Sequence, residues 1–351
     1  MSYVRQFTAT QFVWVFTIPL LFLGLHISKY SQCELSFTLE GQGRMLFDPI
    51  SWQITPIQPP AGIVSLDSHS WIVEQTSSSH LMLVLHGKVS SPEGIVLNPP
   101  DTDGSSPAWS PRGDLIAFTV FDNGSHSIYI VKSDGSGSRN LTRASLQNET
   151  ETNIPLQDDF PAWSPSGNQI AFRSNRGGND GLWLVNVDGS GLKQIASYGG
   201  LPIWSPDGQF IAWQTTPNRI GVVDLAADKI SGAGGGNVTR SNPIWSPDSR
   251  WLGFLEGGVV EGPNTNRPLG SSISLYKMHP DGTERTRVTP ADLPISEARW
   301  APDTDVIAFT SKGQLYLVAG DGTNLQPITV AGQVNALIWV CRSDPATATK
   351  P

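Results

Sequence analysis

Cysteine is nearly absent: the 351 residues hold only two, Cys33 and Cys341. A CxxC pair, a four-cysteine zinc site and a disulfide framework are thereby excluded, and the core must come from apolar packing. Whether the two thiols join each other is left open by the sequence. Positive charge is also scarce, with 23 Lys and Arg against 31 Asp and Glu and a net charge of -8. The basic footprint of a nucleic-acid binder is missing, which excludes DNA and RNA as partners. No GxSxG elbow, HExxH, GxxxxGKS/T or GxGxxG occurs, and with each goes the reaction class built on it. Gly and Pro, in contrast, are abundant at 35 and 27 residues, a density that interrupts long helices, and 12 Trp do not suit a disordered chain. The chain reads as globular and β-rich.

One stretch, Phe12 to Ile27, carries no formal charge, with Arg5 before it and Lys29 after it. It reads as a secretory or membrane segment over residues 1–30, favoured as an uncleaved anchor. Arg5 and the α-amino group keep its N-terminus inside, so the rest of the chain lies outside; cleavage would release it as a secreted protein. Gln32 before Cys33 makes a poor lipoprotein site.

A short pattern then returns along the second two-thirds of the chain. It begins at Trp109 as WSPRGDLIAF, recurs from Trp163, Trp204, Trp245 and Trp300, and starts a sixth time at Trp339, with spacings of 54, 41, 41, 55 and 39 residues. A unit of about 40 residues with two insertions accounts for them all. After each IAF-like run comes a second alternating run, such as Ser127 to Val131 or Leu315 to Val318, then in four of five units an Asp-Gly pair (Asp134, Asp188, Asp281, Asp321) and a short run ending in Thr. Each unit is four short strands. Pro206-Asp207-Gly208 has the chemistry of a tight turn between the first two. Ser249 and Thr304 stand where Gly would take the left-handed conformation, so those two turns are expected to be strained or altered.

The WSPDGxxIAF copies, the Tyr-containing strand, Asp-Gly-Ser or Asp-Gly-Thr and the Leu-Thr ending resemble the TolB-type, WD-like β-propeller repeat over roughly residues 104–340. The resemblance implies an all-β propeller of four-stranded antiparallel blades; five full units plus the strand at Trp339, completed from the N-terminal side, give six blades, preceded by the N-terminal hydrophobic segment. Its expected organisation is a connector over 31–61, a propeller over 62–342 in which strands within 62–100 complete the last blade and 104–342 carry the repeats, and a tail over 343–351. Function does not follow from such a fold.

Strand parity narrows where function sits. In an antiparallel meander the loops between the second and third strands share a face with those leading to the next unit. Both insertions, Arg143 to Asp159 and Glu256 to Ser272, are of this kind, so one face is elaborated. That face also receives the positions three residues before each repeat Trp, namely Ser106, Phe160, Leu201, Asn242, Glu297 and Ala336. The candidate binding residues are Asp158, Asp159, Phe160, Arg173, Arg176, Asn242, Glu256, Glu261, Arg267 and Glu297. No catalytic residue, metal or cofactor is assigned. The reading is a non-catalytic extracytoplasmic binding propeller, tethered at the membrane, for a protein or peptide or for envelope glycan. An alternative is a lyase- or hydrolase-type enzyme, which requires two or three of His126, Asp158, Asp159, Glu256, Glu261 and Glu297 to converge; a structural or sensor subunit docked on a membrane complex is a third. His69, His80 and His86 read as ordinary strand and loop histidines.

Overall fold

The computed structural model describes residues 33–39, 43–48, 53–56, 63–64, 70–77, 80–87, 94–142, 155–216, 218–234, 238–259 and 273–341. All regular elements among them are strands, arranged as seven four-stranded antiparallel sheets. Sheets 3 to 7 are the five repeat units: their innermost strands are Asp103–Trp109, Asp159–Trp163, Ile203–Trp204, Val238–Trp245 and Glu297–Trp300. Sheet 2 is built from Ile63–Val64, Ser70–Ser77, His80–Gly87 and Ile95–Val96. Sheet 1 joins the two ends of the chain, with Val334–Cys341 beside Cys33–Leu39, then Gly43–Asp48 and Gln53–Pro56.

Two expectations are corrected here. Six blades were expected and seven sheets are found, because residues 62–100 make a sheet of their own. The strand at Trp339 is completed from residues 33–56, the stretch expected to be a connector, with Leu35 opposite Trp339 and Leu39 opposite Val334. Pro56 ends the edge strand, where a missing N–H costs no ladder bond. The N-terminal segment, the tail, Glu261, Arg267 and His69 lie outside the described residues. No helix among the described residues is long and apolar enough to cross a membrane.

The repeat motif forms these sheets for identifiable reasons. In four of the five units the Ser after the Trp is buried, and its Oγ accepts the backbone N–H five residues on: Leu115 to Ser110 at 3.0 Å, Gln169 to Ser164 at 3.1 Å, Phe210 to Ser205 at 2.9 Å and Trp251 to Ser246 at 2.9 Å. This closes the turn that the Pro and Gly preset. At the next turn the Asp side chain accepts the N–H two residues on, as in Asp188 with Ser190 and Asp281 with Thr283, and the Gly after it has φ near +90°. Ser249 keeps the left-handed geometry despite its Cβ, at φ +60°, and its Oγ accepts the Asp207 N–H across to sheet 5. Thr304 does not adopt it, and the turn there is remade as bends.

Six apolar clusters hold the sheets in series, each bridging consecutive neighbours from sheet 2 through sheet 7 to sheet 1. The tryptophans add a directional link. Four indole N–H groups donate to the carbonyl one residue before the preceding unit's Trp: Trp163 to Ala108 at 2.9 Å, Trp204 to Ala162 at 3.1 Å, Trp245 to Ile203 at 3.0 Å and Trp339 to Arg299 at 3.3 Å; the buried Trp300 indole does not make this bond. A phenylalanine fills the same space without this bond, which is why Trp begins the motif.

Candidate functional site on the elaborated face

The meander places the loops flanking both insertions at one end of the sheets, and the innermost strands enter from that end. Four of the six residues three positions before a Trp have left-handed backbones: Ser106 (φ 52°), Phe160 (57°), Asn242 (54°) and Ala336 (55°). In each case the pairing register shifts beside them, so each inner strand carries a bulge at the mouth. A bulge turns one side chain out of the alternation, and a left-handed Phe or Ala costs local strain.

The predicted residues separate into buried and accessible groups. Asp158 and Arg176 form an ion pair at 2.5 Å with side chains 1% and 0% exposed. Arg176 also donates from Nε to Ser174 Oγ and lies over the rings of Phe172 and Trp183. Glu256 is likewise buried, its two oxygens taken by Arg240 at 2.7 Å and by Arg285. These three side chains, expected at the rim, are buried in the structure and held by ion pairs.

The accessible group is richer. Asn242 donates to Ala298 O and accepts from Arg299, which pairs with Glu297 at 2.7 Å. Glu297 in turn accepts the Leu337 N–H at 3.1 Å, so one polar chain crosses sheets 6, 7 and 1 at the mouth. His126 Nδ1 donates to Asp159 Oδ1 at 2.6 Å. Of the groups an enzyme would bring together, this pair meets; among the described residues no set of three or more His, Cys, Asp or Glu side chains could hold a metal ion.

Between sheets 4 and 5 the same end opens into a cleft of about 420 Å³. Phe160 and Arg173 line it with Asp180, Gly199, Gly200, Leu201, Gln214 and Thr215. Arg173 and Asp180 pair at 2.5 Å and both remain partly exposed. Tyr198 and Leu201 stand out at its lip, 72% and 58% exposed. Gly200 is required for close approach, since a Cβ there would fall 2.1 Å from Gln214 O. Tyr198, Gly199, Gly200, Gln214 and Thr215 were not singled out from the sequence; the one available signal was Tyr-Gly-Gly in a short crossover. The opposite face has a recess of about 430 Å³ between sheets 5 and 6. Its carboxylates Asp207, Asp224, Asp248 and Asp281 are occupied by their own turns.

Residues 95–257 match the TolB beta propeller domain family. The Tol-Pal system protein TolB of Gluconobacter oxydans is 35% identical over 86 residues, 24% of this chain and 17% of that protein's length. The chain thus spans under a fifth of that relative. Among solved structures, TolB from Acinetobacter baumannii is 15% identical with TM-score 0.46, over 88% of this chain and 83% of its own. A putative TolB from Agrobacterium tumefaciens is 17% identical with TM-score 0.44, over 68% and 85%. The family match, five agreeing copies of the motif and the four-stranded antiparallel sheets among the described residues together identify a TolB-type β-propeller domain over residues 95–257.

Proposed function

We propose that the propeller is a non-catalytic extracytoplasmic module that captures a protein or peptide on the elaborated face, at the cleft between sheets 4 and 5. The observation that carries this reading is the combination there of an exposed Arg173–Asp180 pair with Tyr198 and Leu201 at the lip. Aromatic, Leu and Arg side chains around a concave, glycine-floored surface suit an extended polypeptide, which offers apolar side chains and charge in alternation. A relative named as a component of the Tol-Pal system supports a protein partner. Tethering through Phe12 to Ile27 belongs to the same proposal, and envelope glycan is the second ligand class. The enzyme reading retains one supporting observation, the His126–Asp159 contact.

The test is site-directed photocrosslinking in intact cells. A crosslinker at Leu201 should trap a discrete partner, Arg173→Ala should reduce the yield several-fold, and a crosslinker at Gln209 or Asn324 on the opposite face should trap none. Trapping from Gln209 or Asn324 alone would place the partner on the turn face and end the proposal.

A further inference from the structure

Sheet 1 unites strands from the two ends of the described chain, and its register sets Cys33 directly opposite Cys341. Opposed residues on antiparallel strands have Cα atoms about 4.5–5.5 Å apart, within the span of about 4.4–6.8 Å that a disulfide bridges. Cys33 is 3% exposed and disulfide-bonded, and the sequence offers one other cysteine. We infer that Cys33 and Cys341 are an oxidative cross-link site, and that the bond between them is a covalent clasp closing the propeller.

The sequence holds no other cysteine that could tie these strands covalently. Leu35, two residues from Cys33, is fully buried against Leu315 and Leu317 of sheet 7. The clasp sits at one end of a strand pair whose other end, at Leu39 and Val334, is buried in the same apolar cluster. Forming it removes two protons and two electrons. One thiolate attacks a disulfide-bearing oxidant, such as an oxidised thiol–disulfide oxidoreductase, and the second thiolate displaces that carrier from the mixed disulfide and releases it as a dithiol. Such bonds form and persist in oxidising compartments. The clasp is thus an independent structural reason to place the mature protein outside the cytoplasm, and it leaves no thiol at Cys33 for lipid attachment. Because Cys33 is buried, a reductant reaches the bond mainly through opening of sheet 1.

The experiment uses the full chain recovered from the extracytoplasmic compartment. Denatured without reductant, it should take up no thiol-alkylating reagent, and digestion should yield one linked peptide pair containing Cys33 and Cys341 that separates on reduction. In the native protein, dithiothreitol should act slowly, and complete reduction should lower the thermal midpoint by roughly 5–15 °C. Cys33→Ser, Cys341→Ser and the double variant should show the same loss, since each removes one shared bond. Alkylation of both thiols without reduction, a reducible covalent dimer, or a lipid mass on Cys33 would overturn the inference, and each is read on the wild-type chain even where a variant fails to fold.

Discussion

Replacing Leu35 with alanine probes the closure of the propeller at its least obvious strand. Leu35 is fully buried in a cluster with Leu315, Leu317 and Ile328 of sheet 7 and Val334 and Leu337 of the C-terminal strand. Removing a leucine at such a site costs about 3–5 kcal/mol, because the transfer energy is lost and the surrounding sheets relax only partly. For domains of 150–250 residues, each kcal/mol moves the midpoint by about 2–4 °C, so a fall of roughly 6–20 °C is expected, nearer the lower end for a longer chain. The control lies on the facing strand, where Leu337 is 0% and its neighbour Ile338 44% exposed. Ile338→Ala should therefore change stability by under about 0.5 kcal/mol. A register slipped by one residue would exchange the two faces. Differential scanning fluorimetry on the three variants decides the matter: an unchanged midpoint for Leu35→Ala, or a large loss for Ile338→Ala with none for Leu337→Ala, would refute both the closure and its register.

Ser205→Ala removes, at a fully buried side chain, the acceptor for the Phe210 N–H and should cost about 1–3 kcal/mol in urea denaturation, whereas Ala301→Ser, restoring the motif in sheet 7, should cost nothing. Asp158→Asn leaves Arg176 charged and buried and should cost about 3–5 kcal/mol; replacing both with Leu and Met should recover most of it, and equal losses would show that the pair is not coupled. Hydrogen bonds from Ser190, Thr283 and Thr323 hold the carboxyls of Asp188, Asp281 and Asp321 below their ordinary value of 3.8. Their contribution is therefore complete above that value and lost as pH falls through the depressed folded values. The wild-type midpoint should drop more steeply below pH 4 than that of a Ser190→Ala, Thr283→Val, Thr323→Val variant, and parallel curves would contradict this.

Sheets 3 to 7 were legible because each repeats one solution: a Trp strand, a serine-closed turn, an alternating run and an Asp-Gly turn. Sheets 1 and 2 use the same architecture without the motif. Residues 33–56 lack the Trp-Ser-Pro start, so only the pairing of Cys33–Leu39 with Val334–Cys341 reveals their role, and pairing across the whole length of a chain leaves no local trace. Parity alone located the elaborated end, because antiparallel order forces it. It did not tell buried charge from exposed charge. Arg176 and Glu256 look like rim residues until their partners are known, and Glu256 finds one of those, Arg285, just before the strand Thr286–Arg287, which is reached only after an insertion. The cleft between sheets 4 and 5 was missed for a related reason: it belongs to two units at once, and its floor is backbone.

The sharing of sheet 1 between early and late strands has a consequence for how the protein is made. Sheets 2 to 7 can each fold as their own segment emerges, but Cys33–Leu39 waits for Val334–Cys341. At elongation rates of about 5–20 residues per second this interval is on the order of tens of seconds. Throughout it the first strand lacks its inner partner, a state open to pairing with other chains. A product that terminates before Val334 never leaves that state, so completeness of synthesis is written into the edge of one sheet, where a protease or a chaperone can read it.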